Sequence, residues 1–256
     1  MRHFFLDLES KALPSVGQLV TLDREESHHL GTVLRGGRQQ EVVLTDGKGY
    51  RFQAKVTNQD RRKASLEILS VDRDEAEFEA PQLVLALAMI KTKRFEWALE
   101  KAVELGVHRI VPLMTEHVVK ELGSIKVKRW QTIMRTAIKQ CGRSFLPKIE
   151  EPQAVGTFLE KIPAGSLTVF GAIAEELGLS HHPVSLLDLA SSQPETLPEN
   201  LTALIGPEGG WTETEVKLFL ELGLQPITLG PHILRAETAA TACLSCLQGV
   251  RQAWLA

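Results

Sequence analysis

The chain has 256 residues and a mass of 28.3 kDa, is 43% hydrophobic and 24% charged, and carries a formal net charge of −3. Such a composition belongs to a globular protein of one large or two smaller domains and excludes a wholly disordered chain. The longest apolar run, Leu83 to Ile90, has eight residues, far short of the roughly 20 that a helical membrane span needs. Asp7 follows the first apolar residues too early for a secretory core, and three cysteines cannot build a disulfide framework. The expectation is a soluble cytoplasmic protein with no membrane attachment.

The first 70 or so residues read as β-rich. Gln18 to Leu22 and Val42 to Thr45 are strand candidates, and Asp46-Gly47-Lys48-Gly49 supplies hairpin turn chemistry. Phe52, Ala54 and Val56 alternate with Arg51, Gln53 and Lys55, as on a half-buried strand, and Leu66 and Ile68 continue the pattern. Between the first strands, Leu30, Val33 and Leu34 have helical spacing behind the early acids Glu25 and Glu26. These elements predict a small β-barrel carrying one helix over residues 1–72. The acidic stretch from Asp72 to Pro81, poor in apolar residues, predicts a linker over 73–81.

From residue 82 to 256 strands alternate with helices. Leu83 to Ile90 reads as a buried strand, Phe95 to Leu105 as a helix stopped by Gly106, and Ile110 to Leu113 as a short strand. Trp130 to Gln140 is helical; Leu167 to Phe170 and Leu201 to Ile205 are buried strands. Thr212 and Glu215 form a capping-box pattern that opens a helix to Leu222. Pro226 to Leu229 is the last strand and Thr238 to Trp254 the last helix. This order predicts an α/β domain with a mostly parallel sheet. Gly171 to Asn200 holds three prolines and reads as partly loop.

Charge is unevenly spread. Val33 to Lys63 carries eight Lys/Arg against three acids, and Lys120 to Lys148 carries eight against one, Glu121. Two basic segments on an otherwise acidic chain suit a polyanion, or solvated surface faces. In the second, Gln140 and Arg143 are spaced to share a helix face.

The strongest local motif is Leu204-Ile205-Gly206-Pro207-Glu208-Gly209-Gly210-Trp211-Thr212, a buried strand running through a glycine turn into a capped helix. Ligands of open α/β sheets sit outside the carboxyl ends of strands, and glycines there let a ligand reach backbone N–H groups; a tight structural turn is the plain alternative. The glycine spacing is neither the dinucleotide fingerprint nor a P-loop. Leu229-Gly230-Pro231-His232-Ile233-Leu234-Arg235-Ala236-Glu237 repeats the strand–glycine–helix theme, so two loops of one sheet can wall one crevice. Arg235 before a helix start opposes the helix dipole, which points to an anionic target or an ion pair. Cys243 and Cys246 have C-x-x-C spacing without a second ligand pair and read as packed thiols; His28-His29 and His181-His182 lack metal-binding spacing. No metal site is expected.

Together these motifs resemble the ribosomal RNA small subunit methyltransferase E family of the SPOUT superfamily, which methylates N3 of a uridine in 16S rRNA. The likeness runs over nearly the whole chain: Met1-Arg2-His3-Phe4-Phe5, His28-His29 to Val33-Leu34-Arg35, Lys91 with Glu96, Lys101 and Glu104-Leu105-Gly106-Val107, then Gln140, Arg143 and Pro147, and finally the two glycine loops. The resemblance implies a PUA-like RNA-binding barrel, then a SPOUT domain with a C-terminal trefoil knot, in a homodimer. It implies S-adenosylmethionine held by Ile205, Gly206, Gly209 and Gly210 and by Leu229, Gly230, Ile233 and Leu234, with Phe170 and Gly171 as the third wall. Arg235 is the expected electrostatic stabiliser, and Glu208 and Glu237 are candidate bases or loop-ordering groups. Arg35, Arg38, Lys126, Lys128, Arg129, Gln140 and Arg143 are the expected RNA contacts, with 16S rRNA in the assembled small subunit as partner. A ribose 2′-O-methyltransferase and a non-catalytic RNA-binding assembly factor are the competing readings.

Overall fold

The computed structural model describes residues 2–8, 12–33, 39–117, 127–172 and 183–256. The chain forms two compact units, one of Met1–Glu79 with Arg135–Leu146, the other of Ala80–Met134 with Pro147–Ala256.

In the first unit, β1 (His3–Phe5), β2 (Leu19–Thr21), β3 (Glu41–Thr45), β4 (Tyr50–Asn58) and β5 (Ser65–Arg73) form one sheet in the order β1-β3-β4-β5-β2. β1 is parallel to β3 and the other pairs are antiparallel. Register follows the alternation seen in sequence: Leu44 faces Phe52, Ala54 faces Ile68, and Val56 faces Leu66. These side chains, with Phe4 and with Leu30 from α1 (Arg24–Val33), are the buried core. Irregular register at Gln53/Ala54 and Val56/Asn58 is the kind that increases sheet twist. The expected barrel is thus a curled sheet whose edge strands, β1 and β2, are not paired with each other among the described residues.

The stretch expected to link domains is folded onto this unit. β5 runs to Arg73, and a 3₁₀ turn covers Glu75–Phe78. Asp74 pairs with Arg51 at 2.7 Å and accepts from Ser144 Oγ at 3.2 Å. Phe78 packs edge-on against Phe145 and fills the space that a Cβ on Gly49 would need, 2.5 Å from its ring. The acids that composition marks as linker are ion-pair partners, and segment 135–146 supplies some of the cations.

In the second unit, β6 (Gln82–Ala88), β7 (Arg109–Met114), β8 (Lys148–Ile149), β9 (Gln153–Ala154), β10 (Leu167–Gly171), β11 (Val184–Ser185), β12 (Asn200–Ile205) and β13 (Gln225–Thr228) form a parallel sheet. Its order is β11-β13-β10-β12-β6-β7-β8, with β9 also on β7. The continuous apolar run becomes β6, buried along Leu83 to Ala88 between β12 and β7, as parallel central strands require. The helices are α2 (Thr92–Glu104), α3 (Val127–Cys141, its second half in the first unit), α4 (Val155–Leu159), α5 (Leu186–Ser191), α6 (Glu213–Glu221) and α7 (Ala236–Leu255). α6 opens with the expected capping box: Thr212 accepts from the Glu215 N–H, and the Glu215 carboxylate accepts from the Thr212 N–H at 2.9 Å. Of the stretch 171–200, β11 and α5 are regular, and 173–182 lie outside the described residues. Among the described residues no helix is long and apolar enough to cross a membrane.

Candidate functional site

Three neighbouring strands of the second unit, β13, β10 and β12, end at the same edge of the sheet in Thr228, Gly171 and Ile205. A glycine stands at or just past each end: Gly230, Gly171 and Gly206. A Cβ on Gly171 would meet nothing closer than Ile205 Cδ1 at 3.7 Å, and one on Gly230 would meet nothing within 4 Å. Among the described residues there is thus room beside the α-carbon at both ends. Gly230 has φ +123, a conformation that L side chains rarely adopt, and the Thr228 hydroxyl holds its N–H at 3.3 Å.

The loop after β12 is built on Trp211, which sequence reasoning left without a role. Its indole N–H donates to the Gly171 carbonyl at 3.0 Å, joining the ends of β12 and β10. A Cβ on Gly206 would lie 2.9 Å from Trp211 Cε2, so glycine is needed for the indole to fold under the loop. Trp211 stacks edge-on against Phe219, and Phe219 against Phe170, at 5.0 and 5.2 Å. The Phe170 ring is fully buried in this cluster. Any contact of Phe170 with a ligand would therefore be through its main chain, and Gly171 follows it at the end of β10.

His117 was also missed. Its Nδ1 lies 3.1 Å from the Gly209 carbonyl and 3.3 Å from that of Gly210. A carbonyl only accepts, so Nδ1 carries the proton and Nε2 is the ring's free lone pair in the neutral form. His117 thereby braces the outer turn of the loop.

Arg94 is the third residue that sequence reasoning overlooked. It lies in the first turn of α2, which contains no acid. Its Nη1 is 2.9 Å from Glu208 Oε1, and its Nε is 3.6 Å from Glu237 Oε1. One guanidinium thus ties the turn after β12 to the start of α7. The sequence carries a signal for it, because a cation at a helix start is unfavourable for the dipole and needs an anionic partner. The Glu237 side chain is 11% exposed, and its Oε2 is buried without a hydrogen-bond partner among the described residues. Arg235 stands immediately before α7 in an extended conformation, exposed. Among the described residues its guanidinium has no ion pair or side-chain hydrogen bond. Leu229 and Leu234 are half-buried, and Ile233 is 83% exposed.

The basic residues divide. Arg35, Arg38 and Lys126 lie outside the described residues. Lys128 and Arg129 are exposed on the first turn of α3, where Arg129 is paired with Glu96 through two hydrogen bonds that raise its pKa. Gln140 is exposed, but Arg143 does not share its face. The helix ends at Cys141, and Gly142, with φ +74, turns the chain. Arg143 is then 7% exposed and grips Glu77 by three contacts of 2.8 to 3.1 Å. Arg143 is an internal ion-pair residue, and the expectation of a phosphate contact is corrected.

Known proteins fit this architecture. Residues 78–248 match the RNA methyltransferase domain family, and residues 22–69 match the RNA methyltransferase PUA domain. A ribosomal RNA small subunit methyltransferase E of Synechocystis sp. is 33% identical over 226 residues, covering 88% of this chain and 71% of that protein. One from Mesomycoplasma hyopneumoniae is 37% identical over 172 residues, covering 64% and 68%. The crystal structure of a ribosomal RNA small subunit methyltransferase E from Neisseria gonorrhoeae, bound to S-adenosyl methionine, superposes with a TM-score of 0.80 at 31% identity, covering 97% of each chain.

Proposed function

The chain belongs to the ribosomal RNA small subunit methyltransferase E family, and from that membership we propose that it methylates N3 of one uridine of 16S rRNA with S-adenosylmethionine as donor. The observation that carries the reading is the row of three adjacent parallel strand ends, each closed by a glycine, with Arg235, unpaired among the described residues, just beyond.

The residues fit the donor. The room beside the α-carbons of Gly171 and Gly230 and the glycine turn at 206, 209 and 210 suit a ligand recognised by main-chain groups. Ile205, Gly206, Gly209 and Gly210 would hold one side, and Leu229, Gly230, Ile233 and Leu234 the other. When bound, S-adenosylmethionine supplies a sulfonium methyl already activated for in-line displacement. The chain must then fix the uracil ring edge-on to that methyl, which is a task of proximity and orientation. It must also favour loss of the N3 proton. Arg235 is exposed and has no partner among the described residues, so its charge is available to stabilise negative charge that develops on the uracil oxygens. Glu208 and Glu237 are both engaged by Arg94, which supports a loop-ordering role for them over that of a base.

Further parts of the reading are the knot, the dimer, the cellular site and the substrate's state. β11, which lies between β10 and β12 in sequence, pairs on the far side of β13 from β10, and α7 after β13 packs on α5, α2 and β12; this ordering supports a trefoil threading. Ile233, so exposed in the single chain, is covered in this reading by the cofactor or by a second subunit. The substrate is the assembled small subunit in the cytoplasm, where ribosomes are built.

The test incubates the purified protein with methyl-labelled S-adenosylmethionine and small subunits from a strain lacking the modification, followed by mass mapping of the 16S rRNA. One methyl on a uridine base, at the edge used for pairing and hence a block to reverse transcription, supports the proposal. A methyl on a ribose would replace it with the 2′-O reading, and no donor binding by calorimetry would replace it with a non-catalytic binder.

A further inference from the structure

Helix α1 is shared by two clefts of the first unit. One, of about 610 Å³, is lined by Arg24, Glu25, His28, Arg61 and Arg62. The other, of about 740 Å³, also contains Glu25 and His28 and continues past His29 to His3, Lys139, Gln140 and Cys141. The two are contiguous through residues 25 and 28, and every residue named belongs to one compact unit.

Their chemistry differs. In the first cleft the guanidinium groups of Arg24, Arg61 and Arg62 make no ion pair or side-chain hydrogen bond among the described residues. Glu25 is the carboxylate on the lining. Asp60, next along the chain, spends its carboxylate on the backbone N–H groups of Arg62 and Lys63, at 2.7 and 3.0 Å, and so shapes the turn that presents them. A Cβ on Gly31 would lie 2.9 Å from Arg61 Cγ, so glycine at that point lets the Arg61 stem lie against α1. In the second cleft some of the charged groups are spent on internal partners. Lys139 is paired with the buried Glu26, which also accepts from the Phe5 N–H at 3.2 Å, and the Arg2 guanidinium donates to the Val33 carbonyl. Beside these stand side chains that can hydrogen-bond a ligand: three imidazoles, Gln140, Thr32 and Thr136. Burial, the N-terminal amino group and Arg51 all lower the His3 pKa from its ordinary value. Gly142, at φ +74, brings its backbone to the His3 ring, where a Cβ would stand 3.2 Å away.

A cationic notch that runs into one rich in hydrogen-bonding side chains matches a single RNA strand, which offers phosphates along its backbone and unpaired base edges beside them. A duplex offers phosphates but keeps its base edges paired. We propose that the two clefts form one track for a single-stranded segment of the rRNA, its phosphates on Arg24, Arg61 and Arg62 and a base in the cleft of His3, His28 and Gln140. The proposal rests on the reading of rRNA as substrate and gives a role to the paired histidines that the reaction does not use.

The test uses the full chain and a fluorescein-labelled single-stranded decauridylate, with a duplex of equal length beside it. The triple variant Arg24→Gln/Arg61→Gln/Arg62→Gln is expected to bind the single strand about tenfold more weakly near 0.1 M salt. Its plot of log affinity against log salt should be shallower by about 2, the counterion release of three phosphate contacts on a single strand. His28→Ala is expected to weaken binding with the salt slope unchanged. Saturating single strand is expected to slow alkylation of Cys141, which is exposed and lines the second cleft. Unchanged affinity and slope in the triple variant, equal binding of the duplex, or an unprotected Cys141 would each overturn the track. Calorimetry with S-adenosylmethionine and methylation of the small subunit by the wild-type protein are read separately. A protein that binds RNA this way but does not methylate loses the proposed activity and keeps the track; one that methylates while the triple variant retains full RNA affinity loses the track alone.

Discussion

Arg94 Nη1 lies 2.9 Å from Glu208 Oε1, joining residues 114 apart in sequence. The same guanidinium reaches Glu237 at 3.6 Å, so the turn after β12 and the start of α7 are held by one cation from a third element. Removing the cation leaves two carboxylates facing each other, one of them nearly buried. Arg94→Ala is expected to cost about 1–3 kcal/mol in urea unfolding, whereas Arg94→Lys keeps the charge and most of the stability. Adding Glu237→Gln to Arg94→Ala should recover part of the loss, because it removes the stranded charge. Full stability in Arg94→Ala would show that the clamp contributes nothing.

Trp211 gives a second, separable prediction. Trp211→Phe keeps a ring over Phe219 but loses the N–H bond to the Gly171 carbonyl, for an expected loss of about 0.5–1.5 kcal/mol. Gly206→Ala places a Cβ where the indole now lies. It should displace the ring and weaken S-adenosylmethionine binding at least about tenfold, since the crevice wall moves with it, while far-UV circular dichroism stays unchanged. Calorimetry reads the first quantity; wild-type affinity in Gly206→Ala would count against the loop as a cofactor wall.

What could be read in the sequence follows from the range of the interactions involved. The capping box of Thr212 and Glu215, the buried run from Leu83 to Ala88 and the alternation along β4 are local patterns, and each forms where it is expected. The glycine turns were visible because a glycine at a strand end is a backbone statement about its own position. Arg94 shows in the sequence only as a cation at a helix start that needs an anion; its partners, Glu208 and Glu237, lie too far along the chain to be named from it. Arg143 was misread because its helix stops at Cys141, two residues before it. The stretch read as a linker looks polar for the same reason: Asp74 and Glu77 have their cations at Arg51 and Arg143, and composition alone does not reveal a distant partner.

Arg235 tests the chemistry. With no partner among the described residues and a position just before α7, it contributes little to folding but is available to a developing anion. Arg235→Ala should lower kcat by about 10²–10³, the usual effect of removing one electrostatic stabiliser, with S-adenosylmethionine affinity nearly unchanged. Equal losses in turnover and donor affinity would assign the residue to binding instead.

The cysteines offer a chemical check on packing. Cys243 is fully buried in α7 and burial pushes its thiol pKa up, while Cys141 is exposed and Cys246 intermediate. Alkylation of the native protein is expected to modify Cys141 first and to reach Cys243 only on unfolding. Early labelling of Cys243 would mean that α7 is not packed as described.

Asp60 makes the presentation of the arginine cluster dependent on pH. Its carboxylate accepts the N–H groups of Arg62 and Lys63, and these bonds hold its pKa below the ordinary carboxylate value. A folded-state pKa that is depressed means the bonds stabilise the turn fully above the unfolded-state value and are lost as pH falls through the lower, folded-state value. The amides of Arg62 and Lys63 should therefore be protected from hydrogen exchange at neutral pH, after correction for intrinsic rates. They should lose that protection when Asp60 protonates, and Asp60→Ala should lose it at all pH values. Because the group is fully exposed, global stability should barely change. The effect is confined to the turn that carries Arg61 and Arg62, so Asp60→Ala should also weaken binding of the single-stranded RNA although it removes a negative charge. If binding strengthens instead, simple charge outweighs the ordering of the turn.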